Sequence, residues 1–198
     1  MCIICVSPKG VRQPSLPTIR TMFRRNPHGA GFMCIRDGKV FISKGYMREG
    51  AFINMLQREN FTADDPVVYH FRISTQAGVN PQMTHPFPLS RKRSDMKALD
   101  VFCDCGVAHN GIIRLTSDAN NHEYSDTAIF VTEYLADLIK GPEDLHNPCM
   151  QRMIERLAGS KLAIMDRHGD IVTIGDFINL NGLLFSNGSY SAYGSRAS

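Results

Sequence analysis

Two spacings of hydrophobic positions occur near the start of the chain, and each predicts one type of element. Residues 1–6 are continuously apolar, which predicts a buried strand over 1–7. Ile19, Met22 and Phe23 then follow the i, i+3, i+4 spacing of a helix that buries one face. A strand followed by an amphipathic helix therefore opens the predicted fold.

The rest of the chain continues to mix short apolar runs with amphipathic segments. Asp37-Gly38 separates two apolar runs, and this pair predicts a two-residue hairpin turn. Ser125 is a natural N-cap, from which the longest helix is predicted to run to about Lys140. The other predicted elements, in chain order, are a helix at about 48–58, strands over 66–75 and 101–111, a helix near 149–158, a hairpin over 161–175, a short strand at 183–187 and a loose tail at about 189–198.

The order of these elements predicts the fold class. Strands come first, helices stand before and after the middle strands, and strands follow again, which does not fit strict βαβ alternation. We therefore expect an α+β protein of mostly antiparallel sheets packed with helices. The length of 198 residues predicts a single domain over 1–198.

Composition and charge exclude several classes of function. The chain is 43% hydrophobic and 21% charged, an ordinary globular composition, and its net charge of +3 is too small to indicate a nucleic-acid partner. No apolar run reaches the roughly 18 residues of a membrane span. The apolar N-terminus lacks the preceding basic region of a signal peptide, so a cytoplasmic location is expected, with no membrane partner.

The chain has six cysteines, each of which allows either a structural or a chemical role. They are Cys2, Cys5, Cys34, Cys103, Cys105 and Cys149. A reducing compartment argues against disulfides, and five of the six are most simply small core residues. Cys103, Cys105 and His109 suggest zinc, but no second ligand pair lies at zinc-site spacing, and the segment also reads as a strand. We expect no metal and no other cofactor.

Cys2 is the strongest candidate for a nucleophile. Removal of Met1 by an aminopeptidase, which accepts a small second residue, would place a thiol and a free α-amine on one residue. Such an amine titrates near roughly 7.7–8.0, so it can act as the base that a thiol needs. The alternative is that Cys2 only begins the buried strand.

Three further positions suit the recognition of an amino-acid amide. Arg72 ends an apolar strand, where His70, Arg72 and Ser74 are predicted to share one face. It would suit a carboxylate, although a lone Arg on a strand is more often a solvated or salt-bridged surface residue. Asp126, in the first turn of the long helix, would suit an ammonium group, although Ser-Asp is also a common helix start. Asn110-Gly111 offers two donors for an oxyanion, or alternatively a hairpin turn.

The motifs together resemble those of class II glutamine amidotransferases, which are N-terminal-nucleophile hydrolases. Cys2 is followed in the order of that family by five segments and by a less specific closing segment, LLFSNGSY at 183–190. The five are RNPHGAGF at 25–32, HFRISTQAG at 70–78, THPF at 84–87, VAHNGII at 107–113 and SDTA at 125–128. The resemblance implies a four-layer αββα sandwich of two mostly antiparallel sheets flanked by helices.

The resemblance also implies roles for individual residues. Cys2 would attack the side-chain amide of glutamine through a γ-glutamyl thioester, releasing glutamate and ammonia, with its own α-amine as base. The loop 74–84 would close over the substrate. The other implied site residues are Asn110 and Gly111 for the oxyanion, and Arg72, Thr75, Gly78 and Asp126 for the bound glutamine.

Four positions depart from the family pattern, namely Ile3, His28, Ile73 and Arg114, and they leave the exact substrate open. An amidase acting on another γ-glutamyl compound or peptide fits the same residues. A non-catalytic binding module on the same fold is the alternative from a different class. The chain has no room for an acceptor-modifying synthase domain, so a separate ammonia-accepting synthase chain is the expected partner. The oligomeric state is not predicted.

Overall fold

The computed structural model describes residues 1–73, 80–116 and 123–191, which form an α+β protein. Short 3₁₀ turns connect several of its elements. The strands and helices, in chain order, are β1 (Ile3–Ser7), α1 (Leu16–Arg25), β2 (Ala30–Arg36), β3 (Lys39–Tyr46), α2 (Glu49–Glu59), β4 (Val67–Phe71), β5 (Phe87–Pro88), β6 (Asp100–Cys103), β7 (Cys105–Asn110), α3 (Asp126–Phe130), a π-helical turn (Val131–Leu135), α4 (Ala136–Leu138), α5 (Pro142–Leu145), α6 (Pro148–Ala158), β8 (Lys161–Asp166), β9 (Ile171–Ile174), β10 (Ile178–Leu180) and β11 (Leu183–Phe185).

The strands form two antiparallel sheets. The larger sheet has seven strands in the order β10-β11-β1-β4-β2-β3-β6, and the smaller has four in the order β5-β7-β8-β9. The N-terminal strand β1 lies inside the larger sheet, where Ile3 pairs with Phe71 of β4 and Cys5 pairs with Phe185 of β11. This pairing places Cys2 next to the residues that follow β4.

Three apolar clusters separate the layers of the molecule. One packs α1 and α2 on the larger sheet, with Phe23, Phe52 and Phe71 among its buried residues. A second lies between the sheets, and a third packs the later helices on the smaller sheet. The second includes Ile4 from the larger sheet and Met165 from the smaller. The resulting order of helices, sheet, sheet and helices is compatible with the predicted sandwich.

Elements with strong local signals form as predicted. Asp37 and Gly38 both have positive φ, +52° and +70°, which is the backbone of the hairpin turn that joins β2 to β3. The helices α1, α2 and α6 and the hairpin of β8 and β9 also follow the predicted segments. The sequence did not predict β10, all three residues of which are exposed.

The segment 101–111 was wrongly predicted as one strand. It forms two strands in different sheets, with β6 paired to β3 in the larger sheet and β7 paired to β8 in the smaller. The chain changes sheet at Asp104, which belongs to neither strand. Because both halves are apolar and of strand length, nothing in the local pattern marks the change.

The ends of two other predicted elements differ from the structure. Strand β4 ends at Phe71, so Arg72 follows the strand instead of lying within it, and Ser74 lies outside the described residues. The long helix begins as predicted at the Ser125 N-cap, but a π-helical turn replaces its centre and it ends at Leu138.

The C-terminal segment is held to the sheet as far as the structure describes it. Gly188–Tyr190 form a 3₁₀ turn, and the Tyr190 ring stacks on Phe185 at 4.2 Å. The rest of the predicted tail, 192–198, lies outside the described residues. Within the described part of the chain, no helix combines the length and apolar character that crossing a membrane requires.

Candidate active site

The Cys2 thiol lies against the backbone that follows β4. Its sulfur accepts a hydrogen bond from the Ile73 N–H at 3.4 Å and lies 3.6 Å from the Ile73 carbonyl oxygen. Burial raises the pKa of the Cys2 thiol, while the Ile73 N–H, the Arg72 guanidinium and the N-terminal amine oppose this rise. A thiol in this environment needs a base before it can attack a carbonyl carbon.

Arg72 is placed beside Cys2 by main-chain pairing that continues past β4. The Arg72 N–H donates to the Gly29 carbonyl at 2.8 Å, and the His28 N–H donates to the Arg72 carbonyl at 2.9 Å. The guanidinium is partly buried, and one of its N–H groups donates to the Asn80 carbonyl at 3.5 Å. Burial lowers the pKa of Arg72, and the nearby Cys2 and Asp126 side chains oppose this shift. Arg72 therefore interacts electrostatically with both residues.

Asp126 occupies the first position of α3 and ties two segments together. One carboxylate oxygen accepts the Ile113 N–H at 2.8 Å, and the other accepts the Thr127 N–H at 2.7 Å. The Ser125 hydroxyl caps the same helix by accepting the Ala128 N–H at 3.2 Å. The structure thus places one carboxylate between the residues after Gly111 and the start of α3.

Asn110 and Gly111 stand at the end of β7, not in a hairpin turn. Asn110 is 4% exposed, with one side-chain amide atom 2.9 Å from the Ser186 hydroxyl and the other buried without a partner among the described residues. Gly111 has φ +147°, and a Cβ there would lie 2.5 Å from the Ser160 Cβ. The backbone at Gly111 therefore requires glycine.

A chain of buried polar groups supports this end of the smaller sheet. The His109 ring nitrogens lie 2.7 Å from the Thr127 hydroxyl and 2.8 Å from the Ser160 hydroxyl. Its carbonyl oxygen lies 3.0 Å from ring nitrogens of both His70 and His85. Burial lowers the pKa of His70 to about 3 and that of His109 to about 4. Burial also holds the pKa of His85 well below its usual value, so all three histidines are neutral at neutral pH.

Two residues of the closing segment contact the site, and sequence reasoning assigned neither of them a role. The Asn187 side-chain amide donates to the Cys2 carbonyl at 2.6 Å, and the Ser186 hydroxyl lies between Ile4 and Asn110. Their only signal in the sequence was the resemblance of residues 183–190 to the family's closing segment. The predicted substrate contacts Thr75 and Gly78 lie outside the described residues.

Two other features of the described chain lie away from Cys2. A cavity of about 480 Å³, whose lining includes Cys105 and Asp166, lies near the opposite end of β7 from Asn110. His146, Asp166 and Asp170 are close enough together to hold a cation, with the His146 Nε2 3.2 Å from an Asp166 oxygen. The candidate zinc ligands Cys103, Cys105 and His109 form no such group within the described residues.

Comparison with known proteins gives no further guide: no protein-family model matches the chain, and no curated protein matches it.

Proposed function

We propose that the chain is an N-terminal-nucleophile amidohydrolase of the class II glutamine amidotransferase type. The observation that carries the proposal is the placement of Arg72: the next residue, Ile73, contacts the Cys2 sulfur, and the guanidinium lies close enough to Asp126 for their opposite charges to interact. Those charges match the α-carboxylate and α-ammonium of one amino acid. The order of helices, sheet, sheet and helices also supports an N-terminal-nucleophile hydrolase fold.

The proposed reaction begins after Met1 has been removed. Met1 is 78% exposed, so an aminopeptidase can reach it. The freed α-amine of Cys2 takes the thiol proton, and the sulfur attacks the side-chain amide carbon of glutamine. Because burial raises the pKa of this thiol, the adjacent amine is needed as the base.

The tetrahedral intermediate carries a negative oxygen, which the Asn110 side-chain amide and the Gly111 N–H stabilise. As it collapses, the carbon–nitrogen bond breaks, the protonated amine returns its proton, and ammonia leaves. Water then attacks the γ-glutamyl thioester, which releases glutamate and regenerates the Cys2 thiol. No metal or organic cofactor enters these steps.

The α-amino-acid end of the substrate is bound by charge. The Arg72 guanidinium holds the carboxylate, and Asp126 holds the ammonium group with the lone pairs left by its two backbone hydrogen bonds. The same contacts would hold the glutamyl end of a γ-glutamyl peptide, which is the alternative substrate. Ammonia passes to a separate synthase chain, and the reaction takes place in the cytoplasm.

The test measures glutamate and ammonia released from L-glutamine by wild type, Cys2→Ala and Cys149→Ala. Cys149 is exposed on α6 and serves as the matched control for loss of a thiol. We expect Cys149→Ala to retain activity and Cys2→Ala to lose it. A γ-glutamyl peptide and L-asparagine, assayed in parallel, define the substrate class.

The intact mass of the same preparations tests whether the α-amine of Cys2 is the base. The active protein should begin at Cys2, because an α-amine blocked by Met1 cannot accept the thiol proton. Activity in a preparation that retains Met1 would contradict the mechanism. A fully processed protein that hydrolyses none of these amides would favour the non-catalytic binding module.

A further inference from the structure

Ser186 joins the candidate nucleophile strand to the candidate oxyanion residue. The residue is fully buried, its main chain pairs with Ile4 of β1, and the Ile4 N–H donates to its hydroxyl at 2.9 Å. The Lys161 ammonium donates to its carbonyl at 2.8 Å. The same hydroxyl lies 2.9 Å from the Asn110 amide. Ser186 is thus fixed by neighbours on both sides and faces Asn110.

Hydrogen-bond pairing depends on which amide atom of Asn110 faces Ser186. With Nδ2 toward the hydroxyl, the Ser186 oxygen accepts two N–H groups, from Ile4 and from Asn110. The Asn110 Oδ1 is then buried with no partner in the described part of the chain. An oxygen in that position would also repel the negative oxygen of a tetrahedral intermediate.

Rotating the amide by 180° exchanges the two atoms and changes little in shape. The Ser186 hydroxyl then accepts from Ile4 and donates to the Asn110 Oδ1, so both oxygens are paired. The unpaired atom becomes Nδ2, a donor whose partner arrives with the reacting substrate. Hydrogen-bond pairing and stabilisation of the oxyanion therefore favour the same orientation of the Asn110 amide.

We propose that Ser186 is a positioning residue that holds the Asn110 amide with Nδ2 toward the oxyanion. The kinetic part of this role rests on the proposed function. Asn187, the next residue, donates to the Cys2 carbonyl at 2.6 Å, so the segment after β11 fixes the nucleophile and orients the oxyanion donor together. Ser186 acts only through Asn110 and does not contact the substrate.

Kinetics with L-glutamine test the role. In Ser186→Ala the Asn110 amide is no longer held, and a misplaced donor lowers kcat by about tenfold to a hundredfold while KM stays within about twofold. Ser186→Cys retains a weak donor and should recover part of kcat. Ser7→Ala is the matched control, because Ser7 is equally buried in β1 and its hydroxyl bonds to the Val11 carbonyl. This control should keep wild-type kcat.

A double variant separates positioning from general structural damage. In the Asn110→Ala background, Ser186→Ala should cause no further loss of kcat, because the amide that it positions is gone. Equal losses of kcat in both backgrounds would overturn the proposal. Thermal unfolding of each variant shows whether a loss of kcat comes from unfolded protein. If it does for Ser186→Ala, the partial recovery of kcat in Ser186→Cys decides whether Ser186 has the proposed role.

A crystal structure at atomic resolution tests the amide orientation without any assay. The Cγ–O bond of about 1.23 Å is distinguishable from the Cγ–N bond of about 1.33 Å, and we expect oxygen to face Ser186 in the processed protein. Nitrogen in that position would overturn the proposal even in an active enzyme. An inactive wild type would overturn the proposed function and the kinetic role, whereas full activity in Ser186→Ala would overturn only the role of Ser186.

Discussion

The buried Asn110 side chain stands at the end of β7, and only one of its two amide atoms is paired within residues 1–73, 80–116 and 123–191. A buried amide atom left unpaired is costly, and a partner supplied by the reacting substrate would offset that cost. Negative charge develops in the proposed reaction on an oxygen that needs such a donor. The residue is therefore suited to act in the transition state more than in the bound ground state.

For Asn110→Ala we expect kcat to fall by about a hundredfold to a thousandfold, with KM nearly unchanged. The measurement is steady-state kinetics with L-glutamine. Asn147→Ala is the control: its side chain caps α6, so it should cost about 1 kcal/mol of stability and leave kcat intact. Loss of binding with turnover retained would make Asn110 a ground-state ligand and contradict the assignment.

Arg72 and Asp126 provide a test of substrate identity through charge. We expect Arg72→Ala and Asp126→Asn each to lower kcat/KM for glutamine by about tenfold to a hundredfold, because each removes a charge-assisted hydrogen bond. The Asn substitution keeps an oxygen for the Ile113 or Thr127 N–H, so the helix start is perturbed less than by Ala. Arg91→Ala, which breaks an exposed ion pair with Asp137, is the matched control.

Truncated amides make the same experiment specific. An amide without the α-ammonium should depend on Arg72 but not on Asp126, and one without the α-carboxylate should show the reverse. The measurement is kcat/KM for each amide on wild type and both variants. Equal losses for every substrate would mean that the two residues are structural.

At the scale of elements, the sequence predicted what local physics determines. The Asp37-Gly38 turn needs positive φ at both positions, and the apolar face of α1 needs only its 3.6-residue period, so both are visible in a short window. The change of sheet at Asp104 depends on which strands lie nearby, and no window contains that information. The candidate site also combines local and non-local information. Local motifs made Cys2 and Asn110 candidates, whereas the contacts of Ser186 depend on pairing with a strand about 180 residues away in sequence.

Substitution of two glycines, one in α2 and one after β7, is predicted to change stability in opposite directions. Gly111→Ala should destabilise the protein, because a Cβ there would lie 2.5 Å from the Ser160 Cβ and φ is +147°. Gly50→Ala lies in α2 with nothing within 4 Å of the new Cβ, so it should stabilise by about 0.5–1 kcal/mol. Urea unfolding measures both free energies. A Gly111→Ala variant as stable as wild type would show that this turn tolerates a side chain.

For the whole molecule, the space between the sheets contains an apolar cluster and becomes polar near the candidate site. Ile4, Val68 and Ala163 belong to the apolar part, whereas His70 and His109 meet where β4 approaches β7. Each histidine avoids an isolated buried charge by staying neutral and bonding to a neighbour. The candidate site is therefore supported by histidines that must stay neutral in the folded protein.

This arrangement predicts a protein that loses stability in acid. Burial holds the pKa of His70 at about 3, that of His109 at about 4 and that of His85 well below its usual value near 6.5. Between about pH 4 and 6.5 the unfolded chain binds protons at these residues and the folded protein does not, so the free energy of unfolding falls as pH falls. Well below pH 6.5, each histidine contributes a slope of up to about 1.4 kcal/mol per pH unit.

Urea unfolding from pH 7.5 to 5 measures that slope, and variants assign it to the buried groups. We expect His109→Gln to lower the overall stability. It should also remove about one proton from the number taken up on unfolding, and so reduce the slope, because glutamine does not titrate. Acidic residues also contribute to the pH dependence, so the decisive quantity is the difference between each variant and wild type. A His109→Gln slope equal to that of wild type would mean that the buried histidine gains its proton without unfolding, and the protein would then tolerate a charge between its smaller sheet and α3.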